Sequence, residues 1–424
     1  MPSHCPSYYA ASANQTDLGL SPLEGDVRAD VCIIGGGFSG ISTALSLAER
    51  GYKVVVLEQN LIGWGASGRN GGQLIGGING ESRLLKQHGE ELAQRLFEFG
   101  YRGHEIIEQR IEKYNIQCDF KKGYIDVAVK NRHLKNLHSW HKDLVAYGMQ
   151  DYLRLVDKQD MPEMLGTDMY MGGMINQRNG HLHPLNLCLG EAAAAKYLGV
   201  QLFENSEVTQ IVHGPKPQVQ TTAGSVTADF VVLAGNAYHR LEEKRLSGLV
   251  FPAGTYIIAT EPLSDQEVAD INPHDLAVCD MNEVVDYFRL SADKRLLFGG
   301  RCNYSGRDPK DIKKTMFPRL KKIYPQLANK RIDYQWGGHI GIVVNRVPLI
   351  GRLEKNVFYA MGYSGHGVNV SHLAGEVVAE AVSGTFEKMD VFDRVKHHRI
   401  PFGREFGGSI VALGMLYYRM LDLI

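Results

Sequence analysis

No charge of either sign dominates this sequence: 46 Lys and Arg stand against 47 Asp and Glu, for a formal net charge of -1. The basic residues are scattered rather than run together, so a nucleic-acid partner is not expected. Cysteines are few: Cys5, Cys32, Cys118, Cys188, Cys279 and Cys302. None forms a Cys-x-x-Cys pair or stands at zinc-ligand spacing with His, so no metal site is expected. The six could pair as disulfides, but a large core needs no staples, and reduced, buried thiols are the expectation. Long apolar runs are missing too. The stretch Ile410 to Tyr418 is about half the length that spans a bilayer. The first twenty residues hold no Lys, no Arg and no apolar run, so no secretory signal is expected and the cytoplasm is the default location.

What is present is a chain of 424 residues, 44% hydrophobic and 22% charged, enough for a large core. Domains usually hold about 100–200 residues, so two joined domains are expected. A polar arm runs to about Asp26. A β-α-β pattern follows: an apolar strand Asp30 to Ile34, a helix from Phe38 to Arg50 stopped at Gly51, and a continuous apolar strand Tyr52 to Leu57 of the kind buried in parallel sheets. A glycine-dense loop covers Gly63 to Gly80, and Leu84 to Tyr114 has helical periodicity. Alternating strands are expected at Gly123 to Val129, Val250 to Leu263, Asp286 to Leu290 and Arg295 to Gly300, suggesting an antiparallel sheet. Pro184 to Leu198 reads as a helix. Gln201 to Phe203, Glu207 to Val212, Asp229 to Leu233 and Val357 to Met361 return to buried-strand character, and a helix follows from about Val368 to Val382. The expected fold is α/β: a discontinuous Rossmann-type domain (27–84, 151–235 and 336–385), a second domain on an antiparallel sheet (85–150 and 236–335), and a C-terminal tail packed on the body (386–424).

Gly35, Gly37 and Gly40 make a G-x-G-x-x-G spacing between a strand and a helix. The first glycine permits the tight turn, the second lets the backbone approach a pyrophosphate, and the third lets the helix pack close to the strand. Phosphate charge would then sit at a helix N-terminus, beside Phe38 and Ser39. Glu58, with Gln59 after it, ends the second strand, where a carboxylate can accept from the adenosine ribose hydroxyls; an acid there disfavours NADP. In the loop GWGASGRNGGQ, the residues Gly65, Ala66, Ser67, Asn70, Gly71, Gly72 and Gln73 leave the backbone bare enough to lie against a flat ring, and Arg69 could pair with phosphate. The segment Gly362, Tyr363, Ser364, Gly365, His366, Gly367 and Val368 leads a strand into a helix. A helix N-terminus at the N1–C2 carbonyl edge of a flavin would stabilise its reduced anion. That segment has a purpose beside FAD and none in a simple NAD dehydrogenase.

These motifs, with SEVTQI and VVLAGNAY between them, resemble the FAD-dependent amine oxidases of the D-amino-acid oxidase and sarcosine oxidase superfamily. The order of segments matches over nearly the whole chain. The resemblance implies a D-amino-acid oxidase-like fold, FAD, adenine-side backbone contact at Val208, a cofactor-binding position at Gly235, and a small-molecule amine held by the sheet domain. SYYAASAN, IGWGASGRNGGQL, GHLHPLNL, AGNAY and GYSGHGV are similar to the γ-glutamylputrescine oxidases of bacterial putrescine degradation. Members with covalent FAD use a cysteine shortly before the last flavin segment. Here Trp336 to Gly351 has none, which implies non-covalent FAD. The implied reaction moves a hydride from the carbon bearing a neutral amine to flavin N5. The imine hydrolyses to an aldehyde, and oxygen takes the electrons as peroxide; a dehydrogenase serving a quinone or carrier is the alternative. Such chemistry demands no nucleophile, and no catalytic residue is assigned. His366 either acts on charge near the ring or caps its turn. His181 and His183 are expected to be structural or on the surface. Tyr287, Arg289 and Arg301 fall on the expected substrate sheet, where an Arg could pair with a carboxylate, although for any one of them a solvated or packed role is the expectation.

Overall fold

The computed structural model describes residues 3–14, 17–241, 243–246, 248–303 and 309–399. Val31 to Ile34 and Val54 to Leu57 are apolar on both faces and are buried on both. They lie in strands Gly25–Ile34 (β1) and Val54–Leu57 (β2), which pair in parallel. On the other side of β1 lies Gly224–Leu233 (β3), then Val357–Met361 (β4), both parallel. Gln201–Phe203 extends the sheet beyond β2, and Leu349–Glu354 closes it beyond β4 as an antiparallel edge.

Helices Phe38–Ala48 (α1) and Gly367–Val382 (α2) pack against each other beneath this sheet. Gly375 makes that contact possible, since a Cβ there would stand 2.5 Å from Ser42 Oγ. The helix Ala93–Lys113 packs on α2, with Asn369 Nδ2 donating to Gly100 O at 2.6 Å. Sequence periodicity ran through Gly89, but its φ of +89° ends one helix, Glu81–His88, before the next begins.

A second, nine-stranded sheet runs in the order Ile332–Val343, Val250–Thr260, Leu296–Asn303, Asp286–Leu290, Ala277–Asp280, Lys121–Ala128, Gly172–His181, Gln73–Leu74, with Leu153–Asp157 paired to Gly172–His181. All its pairings but one are antiparallel. The helix Ile312–Ile323 covers one face with Met316, Leu320 and Ile323 buried. No helix among the described residues is long and apolar enough to cross a membrane.

Three expectations need correction. Strands 153–157, 172–181 and 332–343 belong to the second sheet, so the expected cuts at 151 and 336 do not follow sheet membership. A strand's pattern tells how it is buried, not which sheet it joins. The expected buried strand Glu207 to Val212 is Val208–Val212, paired antiparallel with Gln218–Thr221, and only Ile211 in it is buried. The polar N-terminal arm instead folds a turn of helix, Tyr8–Ala11, with Ser7 Oγ accepting from Ala10 N at 3.2 Å and both tyrosines buried. In the tail, the helix Glu387–Asp393 buries Met389 and Phe392. The apolar stretch Ile410 to Tyr418 lies outside the described residues.

Candidate active site

Because β1 has chain neighbours on both sides, its C-terminal end opens a crevice where ligands of such sheets bind. A cavity of about 1280 Å³ occupies that place, between the parallel strand ends and the second sheet. This exceeds the roughly 300–1,000 Å³ of an ordinary small-molecule site. A dinucleotide and a substrate need such room.

The first turn of the cavity wall follows from its glycines. Gly35 has φ +116°, and a Cβ there would meet Ala234 O at 2.8 Å. At Gly40 a Cβ would stand 1.8 Å from Gly35 O, so this glycine seats α1 on the strand and lies behind the wall. Gly37, Phe38 and Ser39 line the cavity with Gly35. Phe38 N donates to Ser67 Oγ at 2.8 Å, tying α1 to the glycine loop. Ser39 Oγ and Tyr363 OH are 2.6 Å apart, tying it to the entry of α2. Glu58 lines the wall beside Gln59; its Oε2 accepts from Gly36 N at 2.7 Å and its Oε1 from Asn60 N at 2.9 Å. Burial raises its pKa, opposed by those two amide donors.

From the glycine loop, Gly65, Ala66, Ser67, Asn70, Gly71 and Gln73 reach the cavity. Asn70 holds the turn: Nδ2 donates to Ala66 O and Ser67 O, and Oδ1 accepts from Gly72 N at 2.8 Å. Two expected residues turn away. Arg69 does not face the cavity; its guanidinium lies 4.2 Å over the Trp64 ring and Nε donates to Trp64 O at 2.8 Å, so stacking and a carbonyl satisfy it instead of phosphate. Gly72, at φ +70°, packs under Leu182 O and the Arg289 guanidinium.

Val208 and Gly235 also line the cavity. So do Tyr363, Ser364, Gly365, His366, Gly367 and Val368. Gly362, at φ +76°, lies behind them, where it redirects the chain from β4. Ser364 N donates to Gly341 O at 2.9 Å and Ser364 Oγ accepts from Val343 N at 3.1 Å, so the turn is pinned to the second sheet. The N-terminus of α2 therefore meets the cavity, and no acidic side chain stands in its first turn. His366 occupies the cap position without a side-chain cap bond, which removes the capping reading. Burial lowers its pKa to about 4, leaving it neutral at pH 7.

The second sheet contributes Thr255, Cys279, Glu283, Val285, Tyr287 and Arg301. Arg289 takes the packed role rather than that of a carboxylate partner. It is 1% exposed and spends its donors on Gly71 O, Leu290 O, Leu182 O and Tyr9 OH. His181 and His183 are buried, not superficial. His181 Nε2 meets Asp275 O at 2.9 Å; His183 Nδ1 accepts from Asn186 N at 3.1 Å and caps Pro184–Tyr197. Cys5, Cys32, Cys118, Cys188 and Cys279 are free thiols, and burial raises that of Cys279. Sequence reasoning passed over Glu283, Asn236, Tyr238, Arg240 and Arg346, all on the cavity wall. Asn236 had a signal: it follows a buried strand, has φ +46°, and its Oδ1 accepts from Gly362 N at 2.9 Å.

Residues 30–381 match the FAD dependent oxidoreductase family. The chain is 41% identical over 424 residues to the gamma-glutamylputrescine oxidoreductase of Escherichia coli, covering 100% of this chain and 99% of that one. It is 42% identical over 426 residues to a probable oxidoreductase of Haemophilus influenzae, covering 99% and 97%. Among solved structures, glycine oxidase from Geobacillus kaustophilus superposes with a TM-score of 0.73 at 22% identity, over 88% of this chain and 100% of that chain.

Proposed function

We propose, from the premise that this chain belongs to the FAD dependent oxidoreductase family, that it oxidises the terminal amine of γ-glutamylputrescine to an imine, which hydrolyses to the aldehyde, with oxygen as electron acceptor. The substrate rests on full-length identity to the Escherichia coli enzyme. The observation that carries the site is the meeting of two helix N-termini, α1 and α2, at one cavity across the end of β1. One suits a pyrophosphate and the other suits negative charge on a ring, because each offers unpaired amides and the positive end of a helix dipole.

Support for FAD in this cradle comes from the bare backbone at Gly35, Gly37 and Gly71. A Cβ at Gly71 would press the Tyr287 ring at 2.5 Å, so the loop and second sheet already touch there with no side chain between them. We assign Gly35, Gly37, Phe38, Ser39, Glu58, Gln59, Val208 and Gly235 to the nucleotide half, and Gly65 to Ser67, Asn70, Gly71, Gln73 and Tyr363 to Val368 to the flavin half. Bound FAD supplies the acceptor for two electrons from the C–H bond beside nitrogen. The chain's own task is to hold a neutral amine at the ring and keep the far end of the substrate fixed. Neutral His366 and the α2 N-terminus face the same space, where partial positive charge from the helix favours an anionic cofactor. Free thiols accord with a cytoplasmic enzyme.

Peroxide and aldehyde release on aerobic addition of γ-glutamylputrescine tests the reading, against putrescine, sarcosine, glycine and D-amino acids. Aldehyde without peroxide would instead assign a dehydrogenase with another acceptor. Turnover of sarcosine, glycine or a D-amino acid in place of the glutamylated amine would overturn the substrate.

A further inference from the structure

The second sheet brings two opposite charges to its side of the cavity: Glu283, in the turn between Ala277–Asp280 and Asp286–Leu290, and Arg301, on Leu296–Asn303. They share one end of the sheet. Asp286 pairs with Gly300, so the turn before Asp286 lies beside the strand continuing to Arg301. Gly300 permits this closeness, since a Cβ there would stand 2.7 Å from Val285 O. The turn is also held from behind. Asp280 Oδ1 accepts from Asn282 N at 3.1 Å and Oδ2 from Asn282 Nδ2 at 2.7 Å, and Asp286 Oδ1 accepts from Arg319 Nε at 2.7 Å. Glu283 therefore rides on a turn whose geometry is set before any ligand arrives, which lowers the ordering cost of binding.

We propose that Glu283 is a specificity residue: it receives the α-ammonium of the γ-glutamyl head while Arg301 receives its α-carboxylate, so the far end of the site selects a zwitterionic amino-acid head. The inference rests on the substrate reading given above. A single anionic handle would need only the guanidinium. A carboxylate on the same wall of the cavity adds repulsion toward an anion unless the head also carries a cation. Putrescine offers a second ammonium, which Glu283 attracts and Arg301 repels. A zwitterion meets both groups with the favourable sign, and a mismatched head meets one of them with the unfavourable sign. The reacting amine then points along the wall toward Tyr287, whose ring packs against Gly71 of the flavin-facing loop.

Three amides separate the two charges: γ-glutamylputrescine, N-glutarylputrescine, which lacks the α-ammonium, and N-(4-aminobutanoyl)putrescine, which lacks the α-carboxylate. Glu283 is exposed, so in the unaltered holoenzyme deleting the ammonium should lower kcat/KM by about fivefold, the upper end for a solvent-exposed ion pair. Glu283→Gln should lose about the same factor for the two amides that carry the ammonium, mostly in KM, and raise kcat/KM for N-glutarylputrescine, from whose head it lifts a repulsion. Flavin content and the visible spectrum check that the variant is folded. Equal kcat/KM for γ-glutamyl- and N-glutarylputrescine in the unaltered enzyme overturns the role of Glu283 without any variant. An equal loss on all three amides in Glu283→Gln overturns it too. If the unaltered enzyme oxidises none of the three but turns over another amine, the substrate reading falls first and takes this pairing with it.

Discussion

Arg289 Nε donates to the carbonyl of Gly71 across 2.8 Å, joining a strand of the second sheet to the glycine loop that lines the cavity. Its other donors reach Leu182 O at 2.7 Å, Leu290 O at 2.9 Å and Tyr9 OH at 3.3 Å. The guanidinium is thus a clamp between the N-terminal helix turn, the loop and the sheet. Removing it strands buried carbonyls, each costing roughly 1–3 kcal/mol. Arg289→Met should lower Tm by several degrees and weaken FAD retention, while the preference for γ-glutamylputrescine over putrescine stays as it was. A loss confined to the glutamylated amine, with Tm and flavin content intact, would make Arg289 a substrate anchor.

Glu58 accepts two backbone amides at the end of β2 and lines the cavity. Glu58→Ala removes both acceptors; Glu58→Gln keeps one acceptor oxygen of neutral charge. Charge-assisted bonds are worth about 1.5–3 kcal/mol, so the Ala variant should bind FAD at least roughly tenfold more weakly, and the Gln variant less so. Titration of apoprotein by flavin fluorescence reads both. Unchanged affinity in the Ala variant would remove Glu58 from the cofactor site.

The fingerprint was readable because backbone geometry dictates its glycines: only a residue without Cβ satisfies φ +116° at Gly35 or a contact of 1.8 Å at Gly40. Side-chain destinations were not readable in the same way. Arg69, Arg289 and Arg301 look alike in a sequence, yet one stacks on Trp64, one is buried among carbonyls and one lines the cavity. Tyr8 and Tyr9 were hidden by the polar composition of their arm, although their rings pack on Tyr334, His183 and Trp336. Glu283 belongs to no motif, since its place depends on which strands flank its turn.

Dissociable FAD is expected, because Trp336 to Gly351 offers no thiol near the flavin segment and the described Cys279 thiol on the cavity wall is held protonated by burial. Acid precipitation should leave the yellow colour in the supernatant. Flavin fluorescence on the denatured chain in a gel would mean a covalent link.

His183 Nδ1 serves as an acceptor from Asn186 N, a role that protonation abolishes. Burial lowers its pKa from 6.5 to about 3, with the charge of Arg289 adding to the shift. The unfolded chain therefore binds a proton that the folded chain refuses between those values, and this contribution to stability is full above pH 6.5 and falls as pH drops toward 3. The slope is up to about 1.4 kcal/mol per pH unit. His183→Asn keeps a capping acceptor without the titration, so its Tm should fall less between pH 7 and pH 5 than that of the unaltered protein. Parallel pH profiles of Tm for the two proteins would exclude His183 from acid sensitivity.

The central claim is that one cavity presents FAD to a glutamylated diamine. Anaerobic addition of γ-glutamylputrescine to the yellow holoenzyme tests it most directly, followed by the flavin's visible absorption against the same concentration of putrescine. The account predicts rapid bleaching by γ-glutamylputrescine and bleaching slower by roughly tenfold or more with putrescine, the far ammonium of which meets Arg301 without a carboxylate to offer. Equal rates for the two amines, or a flavin that stays yellow with γ-glutamylputrescine, would contradict it.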